Sequence, residues 1–563
     1  MDKIINWWKT DKRYLDLLKA GLMALLPILC CLVSCAAQGR SIGEVYLPGS
    51  EWNDELFYFK QVEGMVNYGY PQGYFGFNES YALKLSFAAW SPVLVFPWII
   101  WGVLFGWNML SPIICNILLL TVAVFVFVWL VKPTWKQLGI LTLLFCLYTP
   151  FVRYMLSGMP EIICFSMLII FYGVAISYLR KESIPKLVWL FVISGLLTLM
   201  RPYMLLFLLL PAFLWVRRNK WKGLIGSVAV IGVIFAGYAL IKHYLGAEYF
   251  APLFFTDWIT AFFEEGLIGG THNFFSTLYW KGKDFLNHTV EGFRSGLASG
   301  AFFAGYLAMM AVLLVQSFAD WRAWRRQVST GKEEKDTDRK TIKEGREKIT
   351  RDRKKIRMER KVQESEKAQE IKTALIVEAH LAFSFVGMLF ALLLMYKLTE
   401  GSKHLLTFIA AGIFIVSLMR TKFYKKAVFL GAVFAFFYTY MAVEPYDYQV
   451  PFVEEERQAQ VEEWGEIFSD KLQLSEEDVP NYDNVCIWVF SDNTPEGSVT
   501  NKWQILYSLP QGFGISCCYG DYVRENLHTL QSRYLATVNC GEIDEMCRTA
   551  GYREIGRDAD VVV

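Results

Sequence analysis

The 563-residue sequence has no excess charge of either sign. Its 56 Lys and Arg and 54 Asp and Glu leave a net charge of +2, so global charge selects no partner. Its C-terminal part has no Gly-rich phosphate loop, which excludes the common nucleotide-binding fingerprints there. Five of the eleven cysteines lie in that part (Cys486, Cys517, Cys518, Cys540, Cys547), and none has zinc-ligand spacing. The other six lie in apolar runs, where cysteine is most simply a packing residue. No internal repeat is visible, which argues against the related halves of a secondary transporter. No small-residue cleavage site follows the first apolar run, 20–37, so it is expected to remain as a helix and not to be removed as a signal peptide.

What is abundant is apolar length. The chain is 54% hydrophobic and 16% aromatic, and runs of about 18 apolar residues or more, long enough to span a bilayer, recur along it. The spans are 20–37, 108–131, 137–153, 161–179, 187–202, 203–216, 223–243, 298–317, 373–396, 404–419 and 427–442, about eleven in all. A twelfth run, 85–107, breaks the orientation if it spans. With it on the outer face, every basic segment falls inside, as the positive-inside rule requires: the N-terminus, 132–136, 180–186, 217–222, 318–372 and 420–426. Pro92 and Pro97 interrupt the run, and Trp90, Trp98 and Trp101 suit the headgroup layer.

The expected architecture is an all-α polytopic membrane domain, 1–442, followed by a small extracytoplasmic α/β domain, 443–563. The outer face carries loop 38–107, including its membrane-lying segment, and the amphipathic, aromatic loop 244–297. Segment 318–372 interleaves Lys and Arg with Glu and Asp; it reads as a charged cytoplasmic insertion, a solvated helix or a disordered linker, and not as a nucleic-acid site. In the C-terminal domain the strand patterns are 485–490, 514–518, 534–538 and 560–563, and the helix patterns 499–508, 521–530 and 541–550. One or two disulfides are open to its cysteines, with no readable pairing.

Charged residues gather on the predicted outer face. Asp54 and Glu55 follow the first span, and an adjacent acidic pair there can serve as general base or hold a cation. The plainer role is a helix cap, with Asn53 or Asp54 heading a helix over 55–67. Glu79 lies in the same loop. Glu161 follows Pro160 at the start of a span, where it also suits the positive end of a helix. Arg201, ahead of Pro202, is costly at a membrane edge unless it is paired or faces a polar cavity. Lys403 and His404 close the set. Carboxylates with cations on one face are what sugar transfer from a lipid-linked phosphate requires: a base for the acceptor proton, and cations for the charge on the leaving group.

In this order the residues resemble the GT-C glycosyltransferases, the group that includes protein O-mannosyltransferases and lipid A aminoarabinose transferases. The likeness covers roughly 1–442: one span, a long outer loop with an acidic pair (Asp54-Glu55), a second acid (Glu79), a membrane-lying Pro-containing segment, an acid opening a later span (Glu161), and an Arg-Pro (Arg201-Pro202). It implies an inverting transferase of the cell membrane that uses a polyprenyl-phosphate-linked sugar and a glycan, lipid or protein acceptor. Asp54 would be the general base, in a role Glu55 could exchange with it. Glu55 and Glu79 would assist, or with Asp54 hold a divalent cation (Mg or Mn). Arg201 and Lys403 would contact the donor phosphate, beside His404, and Glu161 would order the donor pocket. Lys403-His404 stands where an Arg is expected, and no Trp-Trp-Asp motif is present, which disfavours en bloc transfer to Asn. The competing functions are a transporter of lipid-linked glycan and a non-catalytic protein of envelope assembly.

Overall fold

The first span is helix α1 (Lys12–Ala37), and its two faces differ in burial. Ala20, Met23, Cys31 and Cys35 are buried, whereas Leu22, Leu25, Leu29 and Leu32 are about half exposed. An exposed stripe of leucines opposite a packed face is the pattern of a helix whose other neighbour is lipid. The computed structural model describes residues 12–45, 53–69, 78–79, 91–147, 150–245, 257–294, 298–343, 351–395, 398–418, 455–475, 481–490 and 502–563.

Helix α2 (Asn53–Tyr68) follows, then a 3-10 turn (Pro92–Val95) running into α3 (Phe96–Phe105). Apolar segment 92–105 is well short of the ~20 residues a spanning helix needs. The bundle continues with α4 (Ser111–Val131), α5 (Trp135–Leu147), the short α6 (Pro150–Met155), α7 (Glu161–Arg180), α8 (Ile184–Met200) and α9 (Leu209–Leu245). Next come α10 (Asp257–Glu264), α11 (Gly266–Arg294), α12 (Ala298–Lys343), α13 (Arg351–Met395) and α14 (Leu398–Ser417). Among the described residues, six stretches are long and apolar enough to cross a membrane: 13–37, 111–131, 161–180, 202–244, 303–327 and 368–395. Shorter apolar helices cover 135–146, 184–200 and 404–417. The expected span 427–442 lies outside the described residues.

Helix α7 is the central post, buried along most of its length between α4, α8 and α14. Gly173 permits the close approach to α4: a Cβ there would lie 3.3 Å from Phe127 Cα, and Phe127 then meets Phe414 of α14 edge-on at 5.2 Å. Helix α9 is two segments. Lys220 has φ 49°, and Gly223 lies so close that a Cβ would sit 2.4 Å from the Trp215 carbonyl oxygen. Residues eight apart are that near only if the chain reverses, so the basic stretch 217–222 is a tight turn between two antiparallel apolar segments. Segment 318–372, expected as a solvated helix or a linker, is helical over 318–343 and 351–372, as extensions of α12 and α13.

The C-terminal domain begins with α15 (Glu455–Lys471), a helix the sequence reading missed beneath its charge, although Val461, Trp464 and Phe468 recur at helical spacing and are buried. Strands β1 (Val485–Phe490), β2 (Gly514–Tyr519), β3 (Tyr534–Val538) and β4 (Val561–Val562) form one sheet in the order β2-β1-β3-β4. β1 runs parallel to β2 and β3, and β4 is antiparallel to β3. Helices α16 (Gly520–Asn526) and α17 (Gly541–Thr549) supply the crossovers and cover. All four strands lie at the short apolar runs expected to form them; of the predicted helices, the described part of 499–508 holds a 3-10 turn, Trp503–Ser508. No disulfide forms, since every cysteine is a free thiol. Cys517 and Cys518 are consecutive in β2 and so point to opposite faces of the sheet. The domain rests on α2: Lys60 Nζ donates to the Leu509 carbonyl at 2.9 Å, and the Phe59 and Tyr507 rings are 5.4 Å apart.

Candidate functional site

Helix α2 places two adjacent carboxylates on different tasks. Glu55 turns inward and is 1% exposed. Its Oε1 accepts the Gly158 amide at 3.2 Å and lies 3.7 Å from Arg153 Nη1, itself buried at the end of α6. Gly158 is required for this contact, because a Cβ there would come within 3.2 Å of Glu55 Cβ. Asp54 stays half-buried on the next position of the helix. Asp54 and Tyr58 are four residues apart and share a face, and Tyr58 lies within electrostatic reach of Arg201.

The turn 154–160 is held by a buried amide. Asn116, in the middle of apolar α4, donates from Nδ2 to the Ser157 carbonyl at 3.1 Å and reaches those of Tyr154 and Met159. Its Oδ1 accepts Trp98 Nε1 at 3.0 Å. A single side chain thus ties α3, α4 and this turn together. The turn presents Gly158 to Glu55 and, three residues on, Glu161 to Arg201.

Arg201 lies at the break between α8 and the 3-10 segment Pro202–Leu208. It is fully buried, and its Nη2 donates to Glu161 Oε1 at 2.7 Å. Its Nη1 donates to Tyr203 Oη at 3.1 Å and meets His404 Nδ1 at 2.6 Å. A guanidinium only donates, so His404 Nδ1 accepts and its ring proton is on Nε2. Burying such an arginine demands a paired charge and satisfied donors, and Glu161, Tyr203 and His404 provide them from three separate stretches of the chain. Tyr507, from the α/β domain, is buried within electrostatic reach of Glu55 and Arg153. Burial pushes its phenol well above the ordinary value; Glu55 pushes it further and Arg153 opposes.

Of the residues singled out in the sequence, Glu161, Arg201 and His404 are in direct contact, Glu55 bonds to the turn that leads into Glu161, and Asp54 precedes Glu55 on α2. The Lys403 side chain lies outside the described residues. Glu79 is elsewhere. Asn78 and Glu79 both adopt positive φ, 53° and 54°, and this local reversal carries Glu79 into the α/β domain. Its carboxylate accepts the Ser532 amide and hydroxyl at 2.7 and 2.5 Å and the Gln531 amide at 3.1 Å. Glu79 thus staples the loop to the domain. The donor set Asp54, Glu55 and Glu79 does not gather for a cation, and no cluster of three His, Cys, Asp or Glu occurs among the described residues.

Sequence reasoning missed Asn116, Tyr58, Tyr203 and Tyr507. Asn116 carried a signal, a lone amide within an apolar span; the tyrosines carried none, in a chain with 29 of them. It also missed Asp320 of α12 and Glu378 of α13, a buried, hydrogen-bonded acid pair.

Long apolar helices around buried acid–arginine pairs, packed against a small α/β domain, make this a polytopic membrane protein. No family model matches the chain, and no curated protein does. Two solved structures resemble it, crystal structures of ArnT from Cupriavidus metallidurans, one bound to undecaprenyl phosphate and one in the apo state. Each match covers 96% of this chain and 97% of that one, at 10% identity and a TM-score of 0.39, values that carry no residue correspondence.

Proposed function

We propose that the chain is a membrane glycosyltransferase that moves a sugar from a polyprenyl-phosphate-linked donor to an acceptor on the outer face of the cell membrane, a surface glycan, lipid or protein, with inversion. The observation that supports it is the buried Glu161–Arg201–His404 contact and the buried Glu55–Arg153 pair, which share the turn 154–160, with Asp54 beside Glu55 on α2.

The chemistry is a single displacement. The acceptor hydroxyl gives its proton to the Asp54 carboxylate as its oxygen forms a bond to the anomeric carbon. The bond from that carbon to the phosphate oxygen breaks, and the phosphate leaves with the electron pair, its charge rising from about −1 to −2 near neutral pH. Attack opposite the leaving group inverts the centre. Arg153 and Arg201 are the fixed cations for that added charge, and preorganised donors in a dry site act without reorganisation cost. Glu55 and Glu161 hold these arginines in place, and Lys403 is a further phosphate contact. Asp54 is the better base because Glu55 already serves Arg153 and Gly158. No step is routed through a metal ion.

The test is donor turnover by the purified full chain in nanodiscs, supplied with a labelled polyprenyl-phosphate sugar and a mixture of envelope glycans, lipids and proteins. Release of polyprenyl phosphate together with a labelled acceptor is expected. Passage of intact donor across liposomes with no acceptor present, and no cleavage, identifies a transporter and overturns the proposal.

A further inference from the structure

A cavity of about 70 Å³ lies in the α/β domain between β3, α17 and the chain segment 552–555. Arg533, Arg548 and Arg553 stand on its wall with Asp544 and Glu554. The charges do not cancel within it. Glu554 is gripped from outside the cavity by Arg557, at 2.9 Å from Nη2 and 3.1 Å from Nε. Asp544 accepts the Thr537 hydroxyl and lies 4.0 Å from Arg557. Arg548 is held by Glu545 at 3.2 Å, and the Val563 oxygen accepts the Ile555 amide at 2.8 Å. Arg533 and Arg553 are left without a carboxylate partner among the described residues.

Arg533 sits 5.5 Å from the Tyr534 ring centroid, an arrangement that holds the guanidinium while leaving its donors open. Tyr534 and Tyr552 give the cavity flat apolar walls of the kind on which a sugar ring lies. Glu79 is spent on Gln531 and Ser532, immediately before Arg533. The membrane-domain loop is therefore stapled to the edge of this cavity.

We infer that the cavity binds one anionic group, a phosphate or a carboxylate, carried on a sugar ring, with Arg533 and Arg553 as its donors. The binding does not depend on the transferase proposal. The cavity is sized for a single such group, and paired arginine forks suit either oxyanion.

The experiment uses the full chain in nanodiscs, without donor, and saturation-transfer NMR on glucose 6-phosphate, glucuronate and glucose, with phosphorus line-broadening for inorganic phosphate. Binding is read without turnover, so it stands or falls separately from sugar transfer. The two anionic sugars are expected to bind and glucose not to bind. Joint replacement Arg533→Ala and Arg553→Ala is expected to weaken them about tenfold or more. Both side chains are exposed, so an unchanged thermal midpoint verifies that the fold is intact. Equal binding of glucose, no binding of either anionic sugar, or full binding by the double variant overturns the inference. Inorganic phosphate binding as tightly as glucose 6-phosphate overturns its sugar component.

Discussion

Asp54 and Glu55 are neighbours that should fail in opposite ways. Glu55→Gln keeps the size of the side chain and an acceptor for the Gly158 amide but removes the charge opposite Arg153. The two groups are 1% and 4% exposed and 3.7 Å apart. For unit charges at that distance, an effective dielectric constant of about 20 gives about 4 kcal/mol. Measured losses on breaking one side of a buried pair are of the same size, about 3–5 kcal/mol. The variant should therefore melt well below the parent and lose transfer because Arg153 and the turn 154–160 are no longer held in place. Asp54→Asn removes a charge from a half-buried position, so the melting midpoint should stay near the parent value while transfer falls about 10²–10⁴-fold.

Both variants are compared in nanodiscs by thermal unfolding and by release of polyprenyl phosphate from the labelled donor. Two results refute the reasoning. If Asp54→Asn keeps more than half the parent activity, Asp54 is not the base. If Glu55→Gln melts with the parent, the Glu55–Arg153 pair does not hold the turn 154–160 in place.

Glu161→Gln and Arg201→Met should each destabilise by about 3–5 kcal/mol, and the double variant by clearly less than their sum, because each single change strands the other charge; additivity in the thermal melts removes the pair. Asn116→Leu strands Trp98 Nε1 and the turn carbonyls, at about 1–3 kcal/mol for each group left unpaired, so it should lower both stability and transfer; a variant with parent-like kinetics shows that the turn is held by other contacts. In the α/β domain, burial pushes the Asp558 carboxyl up, but donors from Trp464, Val561, Gln460 and Asp560 outweigh it and hold it below its ordinary value. A depressed folded-state value means that its stabilisation is complete above the ordinary ~3.9 and is lost as pH falls through the folded value. Tryptophan-fluorescence melts should therefore show an acid-labile docking of α15, through Trp464, below about pH 4, and Asp558→Asn should flatten that dependence; an unchanged slope in the variant assigns the acid effect to other groups.

What could be read in advance follows from where burial is costly. The strands of the α/β domain are short, nearly continuous apolar runs, as expected of a largely parallel sheet covered on both faces, and such runs mark the element from the sequence. Asp54, Glu55, Glu161, Arg201 and His404 were legible because an ionisable group beside long apolar runs must be compensated. The compensating partner was not legible, because it is set by packing: Glu161 meets Arg201 across 40 positions and Arg201 meets His404 across 203. Glu79 shows the same limit. Its carboxylate is satisfied by Ser532, 453 positions away, through a backbone reversal at Asn78 and Glu79 made by residues that seldom adopt it. Charge in an apolar chain thus marks the positions that need a partner, while the helix-to-helix contacts, such as Gly173 against Phe127 and the Asn116 tie to the turn, decide which partner each one finds.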